Sequence, residues 1–334
     1  MKILLVKLSA LGDVVQTLPV LAALKRAGHE VHWLVEEAAA QILEGHPLLD
    51  GLLVSRRRLW LDRWRKDPQR VWGEVALFVR SLRQEEYDLV LDLQGLLKSA
   101  LLVALARARL KVGFANHREG SPWFYNFPLP PYDPEEHAVR RYLSALGPLG
   151  LEVAEPEFVL PPLPEEVPQR WGLTKPYVVL IPCARWLTKH WAKSHWQELA
   201  QALLRQGRQP VLVGAKADLP YVEEIVSGVD GALSLCGRLN LLELASLLKG
   251  AERVISVDTG PMHLAAAVGA RVIALFGPTA PWRTGPFGEG HVVLRVSKPC
   301  SPCFRRRCPE PCLEEIRPQE VLAALSNGHT RNRA

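Results

Sequence analysis

Short apolar runs alternate along the chain with stretches in which apolar residues recur every three or four positions. The run "KILLVKL" (residues 2–8) leads through "SALGD" into "VVQTLPVLAALKRAG", which has helical spacing. "EVHWLVE" restores the extended pattern at residue 30, and "YDLVLDL" at residue 87 precedes the helical "GLLKSALLVALARA". Compact apolar runs bounded by turn residues predict strands, and the wider period predicts helices. Residues 154–170, "AEPEFVLPPLPEEVPQR", break the alternation with five prolines and read as a semi-rigid linker. The alternation then restarts: "YVVLIPCA", a helix from about Ser194, "QPVLVGA", another helical stretch, "RVISV", a short helix, "RVIALFG", and a closing amphipathic "RPQEVLAALSN". Strands alternating with helices imply parallel βαβ units. The predicted fold class is therefore α/β, with two doubly wound domains facing one another at residues 1–160 and 161–334. The last helix belongs to the second domain or packs back on the first.

In such sheets ligands bind beyond the carboxyl ends of the strands, so the loops there carry the candidate chemistry. After "RVISV" come Asp258, Thr259, Gly260 and His263 at a strand-to-helix junction. A helix N-terminus offers free N–H groups and a positive dipole end, which suit a phosphate or diphosphate. The loop alone equally fits a plain helix cap with a buried His263. Lys189, in "CARWLTKHW", is placed to neutralise a phosphate, and Asp218, ending "LVGAKAD", to accept hydrogen bonds from ribose hydroxyls. In the first domain Asp13 follows the first strand, either as a general base or as a cap of the helix beginning at Val14. Neither a complete G-x-x-x-x-G-K-[ST] nor a complete G-x-G-x-x-G occurs, which argues against a P-loop NTPase and a dinucleotide oxidoreductase. The chain also lacks a D-x-D, one common means of holding a metal on a sugar nucleotide.

The composition of the 334 residues, 48% hydrophobic and 23% charged, is that of an ordinary globular protein. No apolar run approaches the roughly 18 residues of a membrane span, and Lys7 interrupts the only signal-like stretch, so the expected location is cytoplasmic. The net charge of +6 favours anionic partners. It is concentrated in residues 56–70, "RRRLWLDRWRKDPQR", where seven basic residues and two tryptophans meet only Asp62 and Asp67. That stretch is a solvated helix face or a binding patch; no nucleic-acid-binding signature accompanies it. Cys300, Cys303, Cys308 and Cys312 open with a C-x2-C, but the following spacings match no standard zinc ribbon. A structural metal and a reduced or redox-sensitive loop both remain open there.

These motifs, in their order, resemble the bacterial lipopolysaccharide heptosyltransferases, glycosyltransferase family 9. The resemblance rests on "VKLSALGDVVQTLPVL", "YDLVLDLQGLLKSALL", "FYN", "EEHAVRRY", "TKHWAKSHWQEL", "DTGPMHLAAAVG" and "FGPTAPWRTGP", and it spans nearly the whole chain. It implies the GT-B fold, two Rossmann-like domains across a cleft. It also implies inverting transfer of heptose from ADP-heptose to an inner-core Kdo sugar on lipid A, with no metal or other cofactor. Carried over by position, Asp13 is the general base and Lys189 offsets charge on the leaving diphosphate. Asp218, Asp258, Thr259, Gly260 and His263 hold the donor, and Arg63, Arg118, His137 and Arg141 meet the anionic acceptor. The acceptor implies peripheral contact with the inner face of the membrane, and nucleic acid is not expected. The chain departs from the family at Met262, where a small polar residue is frequent, around "CARW", where Arg185 stands in place of hydroxyls, and at Asp62, a position often basic. Alternatives are a family 9 enzyme with another donor or acceptor, a GT-B nucleotide-sugar epimerase, and a non-catalytic nucleotide-binding module.

Overall fold

The computed structural model describes residues 1–153, 155–174 and 176–326. It divides into two units, Met1–Pro162 and Leu163–Ala334, with the division inside the proline-rich stretch. The first unit holds β1 (Lys2–Val6), β2 (Glu30–Glu36), β3 (Gly51–Ser55), β4 (Glu86–Asp92), β5 (Arg107–Phe114) and β6 (Phe127–Leu129). These form one sheet in the order β3-β2-β1-β4-β5-β6, every pair parallel. The second holds β7 (Tyr177–Ile181), β8 (Gln209–Leu212), β9 (Leu233–Ser234), β10 (Arg253–Val257), β11 (Val272–Phe276) and β12 (Val292–Arg295). Its order is β12-β11-β10-β7-β8-β9, again all parallel. Counted from each unit's own first strand, the two orders are identical and are that of the doubly wound dinucleotide-binding sheet. The order reverses between β1 and β4 in one unit and between β7 and β10 in the other, so those strand ends are the places where ligands bind.

The central strands read as unbroken apolar runs because helices cover both faces of a parallel sheet. All five residues of β7 and of β11 are buried. The edges depart from the sequence pattern. β3 and β12 are only half-buried and β9 is two residues long, so none offers a clear apolar run. β5 begins inside the stretch with helical spacing. The helix Leu97–Leu105 ends at an extended Ala106, and Arg107 starts the strand that pairs with β4. The helix expected after "SALGD" is split into Leu11–Val15 and Leu18–Arg26. Pro19 fits the first turn of the second piece, where its missing N–H costs nothing.

The closing helix Pro318–Ser326 packs on the helix Lys193–Arg205. Its Val321, Ala324 and Leu325 join Trp196, Leu199 and Leu203 in the core of the second unit. Asn327, the last residue expected in that helix, lies outside the described residues.

Candidate active site

At the first unit's switch point, Lys7 follows β1 into the interior with only 3% of its surface exposed. A buried lysine needs acceptors, and its Nζ donates to the Leu93 carbonyl just past β4 (2.7 Å) and to the Tyr142 hydroxyl (2.8 Å). The Tyr142 hydroxyl donates onward to Asp13 Oδ1 at 2.9 Å, and the Ala10 N–H donates to Asp13 Oδ2 at 2.9 Å. Asp13 thus caps a helix, although one that begins at Leu11 rather than Val14, and it uses both carboxylate oxygens. One oxygen caps the turn Leu11–Val15, and the other belongs to a hydrogen-bonded chain that starts at a buried cation. Burial pulls Lys7 down to about 8; Asp13 opposes that shift and Arg141 reinforces it. Burial also pushes the Tyr142 hydroxyl well above its ordinary range, so it stays protonated and remains a donor.

Of the four basic residues expected to meet the acceptor, Arg141 lies beside this chain, with its guanidinium 4.8 Å from the Tyr132 ring centre and 5.5 Å from that of Tyr142. His137 caps the helix Ala138–Leu143 that carries both Arg141 and Tyr142, its Nδ1 accepting from Val139 N–H at 3.2 Å. Arg118 is exposed, in the loop after β5, and its N–H donates to the Gly95 carbonyl at 3.1 Å. Arg63 is separate, exposed at the end of the helix Arg57–Arg63 after β3.

A second, buried network holds these loops. Asp92, closing β4, accepts from Gln94 and Gly95 N–H and from the Ser99 and Tyr125 hydroxyls, and burial pushes its carboxyl upward. His117 bonds the Tyr125 hydroxyl at 3.1 Å and is held neutral, pushed down to about 3 by burial and by the cations of Lys7, Arg141 and Arg118. Gly95 is required there: its φ is +65°, and a Cβ would stand 2.3 Å from the His117 ring.

At the second unit's switch point, Asp258 follows β10 and Lys189 follows β7, and they meet at 2.7 Å through Asp258 Oδ2. The Thr279 hydroxyl, after β11, donates to the same oxygen at 2.6 Å. Lys189 Nζ also lies 4.6 Å over the Trp186 ring. The side chains of both ion-pair partners are largely buried, so the charge is fixed in place rather than tethered to a loose surface arm. Thr259 and Gly260 open the helix Gly260–Ala267 directly beyond, which presents the positive end of its dipole; Pro261 has no N–H, and the Met262 N–H donates to the Thr259 carbonyl at 3.1 Å. His263 is nearly buried on that helix. Met262, where a small polar residue is frequent in the family, is completely buried.

Asp218 sits after β8, where Oδ2 accepts the Ala215 N–H at 2.8 Å and so caps its own turn. Its Oδ1 has no partner among the described residues, which leaves a carboxylate oxygen available to a hydroxyl. The cysteine-rich segment is strapped to this region. Ser301 Oγ donates to the Gly277 carbonyl at 2.6 Å, Phe304 N–H to the Pro278 carbonyl at 2.8 Å, and Thr188 Oγ1 to the Arg305 carbonyl at 2.8 Å. The Arg306 guanidinium lies over the Trp186 ring, 5.1 Å from its centre. All six cysteines are free thiols, and among the described residues no group of three His, Cys, Asp or Glu side chains is arranged to hold a metal ion.

Each switch point is thus bridged by a lysine. The first ends in a base-competent carboxylate and the second in a cation beside a helix N-terminus. Comparison with known proteins gives the family. Residues 75–314 match the family model described as glycosyltransferase family 9 (heptosyltransferase). The chain is 35% identical to lipopolysaccharide heptosyltransferase 1 of Pseudomonas aeruginosa, covering 95% of this chain and 90% of that one. It is 32% identical to the Salmonella typhimurium protein of the same name, over 90% and 95% of the two chains. The solved structure of E. coli heptosyltransferase WaaC with ADP superposes with a TM-score of 0.81 at 29% identity, covering 98% of this chain and all of that one. The same enzyme with ADP-2-deoxy-2-fluoro heptose gives 0.79. The fold is therefore GT-B, and the chain belongs to glycosyltransferase family 9, the heptosyltransferases.

Proposed function

We propose that this glycosyltransferase moves heptose from ADP-heptose to an inner-core Kdo sugar of lipopolysaccharide, in one inverting step without a metal. The observation that carries the reading is the Tyr142–Asp13 bond in one unit together with the Lys189–Asp258 pair beside a helix N-terminus in the other. The names of the relatives, and the ADP and fluoro-sugar complexes of the E. coli enzyme, support the choice of donor and acceptor.

The acceptor hydroxyl attacks the anomeric carbon as the carbon–oxygen bond to the diphosphate breaks. The hydroxyl proton passes to Asp13, and the bonding pair leaves on ADP. An oxocarbenium-like transition state of this kind also governs inverting glycoside hydrolysis, where a single displacement inverts the centre. Asp13 needs to be charged and aimed, and the bonds from the Tyr142 hydroxyl and the Ala10 N–H serve both conditions. The diphosphate needs positive charge placed where negative charge develops, which Lys189 and the positive end of the helix Gly260–Ala267 provide. The diphosphate competes with Asp258 for Lys189, while Thr279 continues to hold the carboxylate. Asp218 is assigned to the adenosine ribose, and Arg118 and Arg141 to the acid groups of the acceptor. His137 acts through the helix that it caps, and Arg63 works from the exposed hairpin.

No helix among the described residues is long and apolar enough to cross a membrane. We place the enzyme in the cytoplasm, acting peripherally on a lipid acceptor. The test of the reaction type is transfer after exhaustive dialysis against a chelator, with the product's anomeric configuration read by NMR. Undiminished turnover and inversion are expected. Retention of configuration, or activity restored only by a divalent ion, would contradict the reading.

A further inference from the structure

Beyond edge strand β3 the chain folds into a helical hairpin, Arg57–Arg63 followed by Pro68–Leu82. Its inner side is satisfied. Val71 and Leu82 are buried, the Trp60 and Phe78 rings pack at 5.4 Å, and Trp60 Nε1 donates to Glu74 at 3.1 Å. Its outer side is not covered. Leu61, Trp72 and Leu77 are 62%, 63% and 67% exposed, and Trp64 is 43% exposed. Trp64 and Trp72, one from each limb, meet edge-on at 5.6 Å.

The charges on the same element divide in two. Arg56, Arg57, Arg58 and Arg70 are paired with Glu37, Glu36 or Glu74. Arg63, Arg65 and Lys66, exposed and flanking Trp64 in sequence, have no acidic partner among the described residues. Four exposed large apolar side chains on one hairpin, two of them in contact, together with unpaired cations on the same element, mark a candidate interaction surface. Tryptophans settle at the headgroup level of a bilayer, and unpaired basic side chains are attracted to anionic lipid. A soluble anion would use the cations but leave the tryptophans and leucines wet. An anionic bilayer uses both.

We propose that the hairpin docks the protein on an anionic phospholipid surface. Leu61, Trp64, Trp72 and Leu77 enter the interface, and Arg63, Arg65 and Lys66 lie against headgroup phosphates. The proposal rests on the reading that the acceptor is a membrane lipid, and it concerns bare phospholipid rather than recognition of the acceptor's sugars.

The full chain is sedimented with phosphatidylglycerol-containing vesicles and with phosphatidylcholine vesicles, both free of acceptor. It is compared with two double variants, Trp72→Ser with Leu77→Ser and Arg65→Glu with Lys66→Glu. All four positions are exposed, so both variants should fold, which circular dichroism checks. The wild type is expected to bind anionic vesicles at least about 10-fold more tightly than neutral ones, and each variant to lose about 10-fold or more. Transfer to a deacylated, water-soluble acceptor should be unchanged in both. Wild-type binding retained by both variants overturns the hairpin's role and leaves membrane association standing. A wild type that ignores anionic vesicles overturns both, and a dimer in sedimentation that Trp72→Ser with Leu77→Ser abolishes would then assign the patch to self-association.

Discussion

Replacing Asp13 with alanine is expected to lower kcat by about 10²–10⁴-fold, the contribution of a positioned base, while the KM for ADP-heptose changes little. The split follows from where Asp13 sits. It belongs to the first unit's switch point, and every residue assigned to the nucleotide follows a strand of the second. Its cap to Ala10 is also lost, so folding must be checked; loss of one capping bond typically costs about 1 kcal/mol of stability, which the fold should survive. Tyr142→Phe separates positioning from capping, because it leaves the cap to Ala10 in place while removing the donor to Oδ1, together with one of the two acceptors of Lys7. A smaller loss of roughly 10-fold in kcat is expected, with the acid limb of the pH–rate profile moved to higher pH, since a hydrogen bond to the carboxylate favours its charged form. Turnover of Asp13→Ala within a few-fold of wild type would reduce Asp13 to a helix cap.

Lys189→Ala should lower kcat by about 10²–10³-fold, the scale seen when one donor aimed at developing charge is removed. ADP should also bind more weakly, because the product carries the charge that Lys189 meets. Asp258 keeps its bond from Thr279 in that variant, so the loop after β10 should hold its shape. Lys189→Arg should rescue only part of the loss: a forked guanidinium cannot replace a point charge seated over Trp186 and against one carboxylate oxygen. Steady-state kinetics with ADP as product inhibitor measures both effects. An unchanged ADP inhibition constant would remove Lys189 from the diphosphate site.

The central strands were legible because burial on both faces leaves an uninterrupted apolar run. β2 occupies the seven residues "EVHWLVE", and β10 the five of "RVISV". The edges were not, since a half-covered strand such as β3, or a two-residue strand such as β9, carries no periodicity strong enough to read. Asp258 was legible as an acid directly after a predicted strand, and Asp13 and Lys189 as polar residues in the loops that follow predicted strands. Their companions were not. Lys7 looks like an interruption of an apolar run, and its partner Tyr142 is 135 residues away, a separation that only the folded sheet closes. Thr279 lies in a quoted motif, but nothing local shows that its hydroxyl serves Asp258. Asp218 and His137 were read as ligand groups, and each carries a local capping bond that loop chemistry alone would have suggested.

The central claim is tested most directly by offering the purified protein ADP-heptose and other sugar nucleotides in parallel with Kdo-bearing lipid A, and weighing the acceptor by mass spectrometry. The account predicts the mass increase of one heptose with ADP-heptose, and none when Asp13→Ala replaces the wild type over the same time. Transfer from another sugar nucleotide in preference to ADP-heptose, or an acceptor that returns unchanged while ADP-heptose is epimerised, would contradict it.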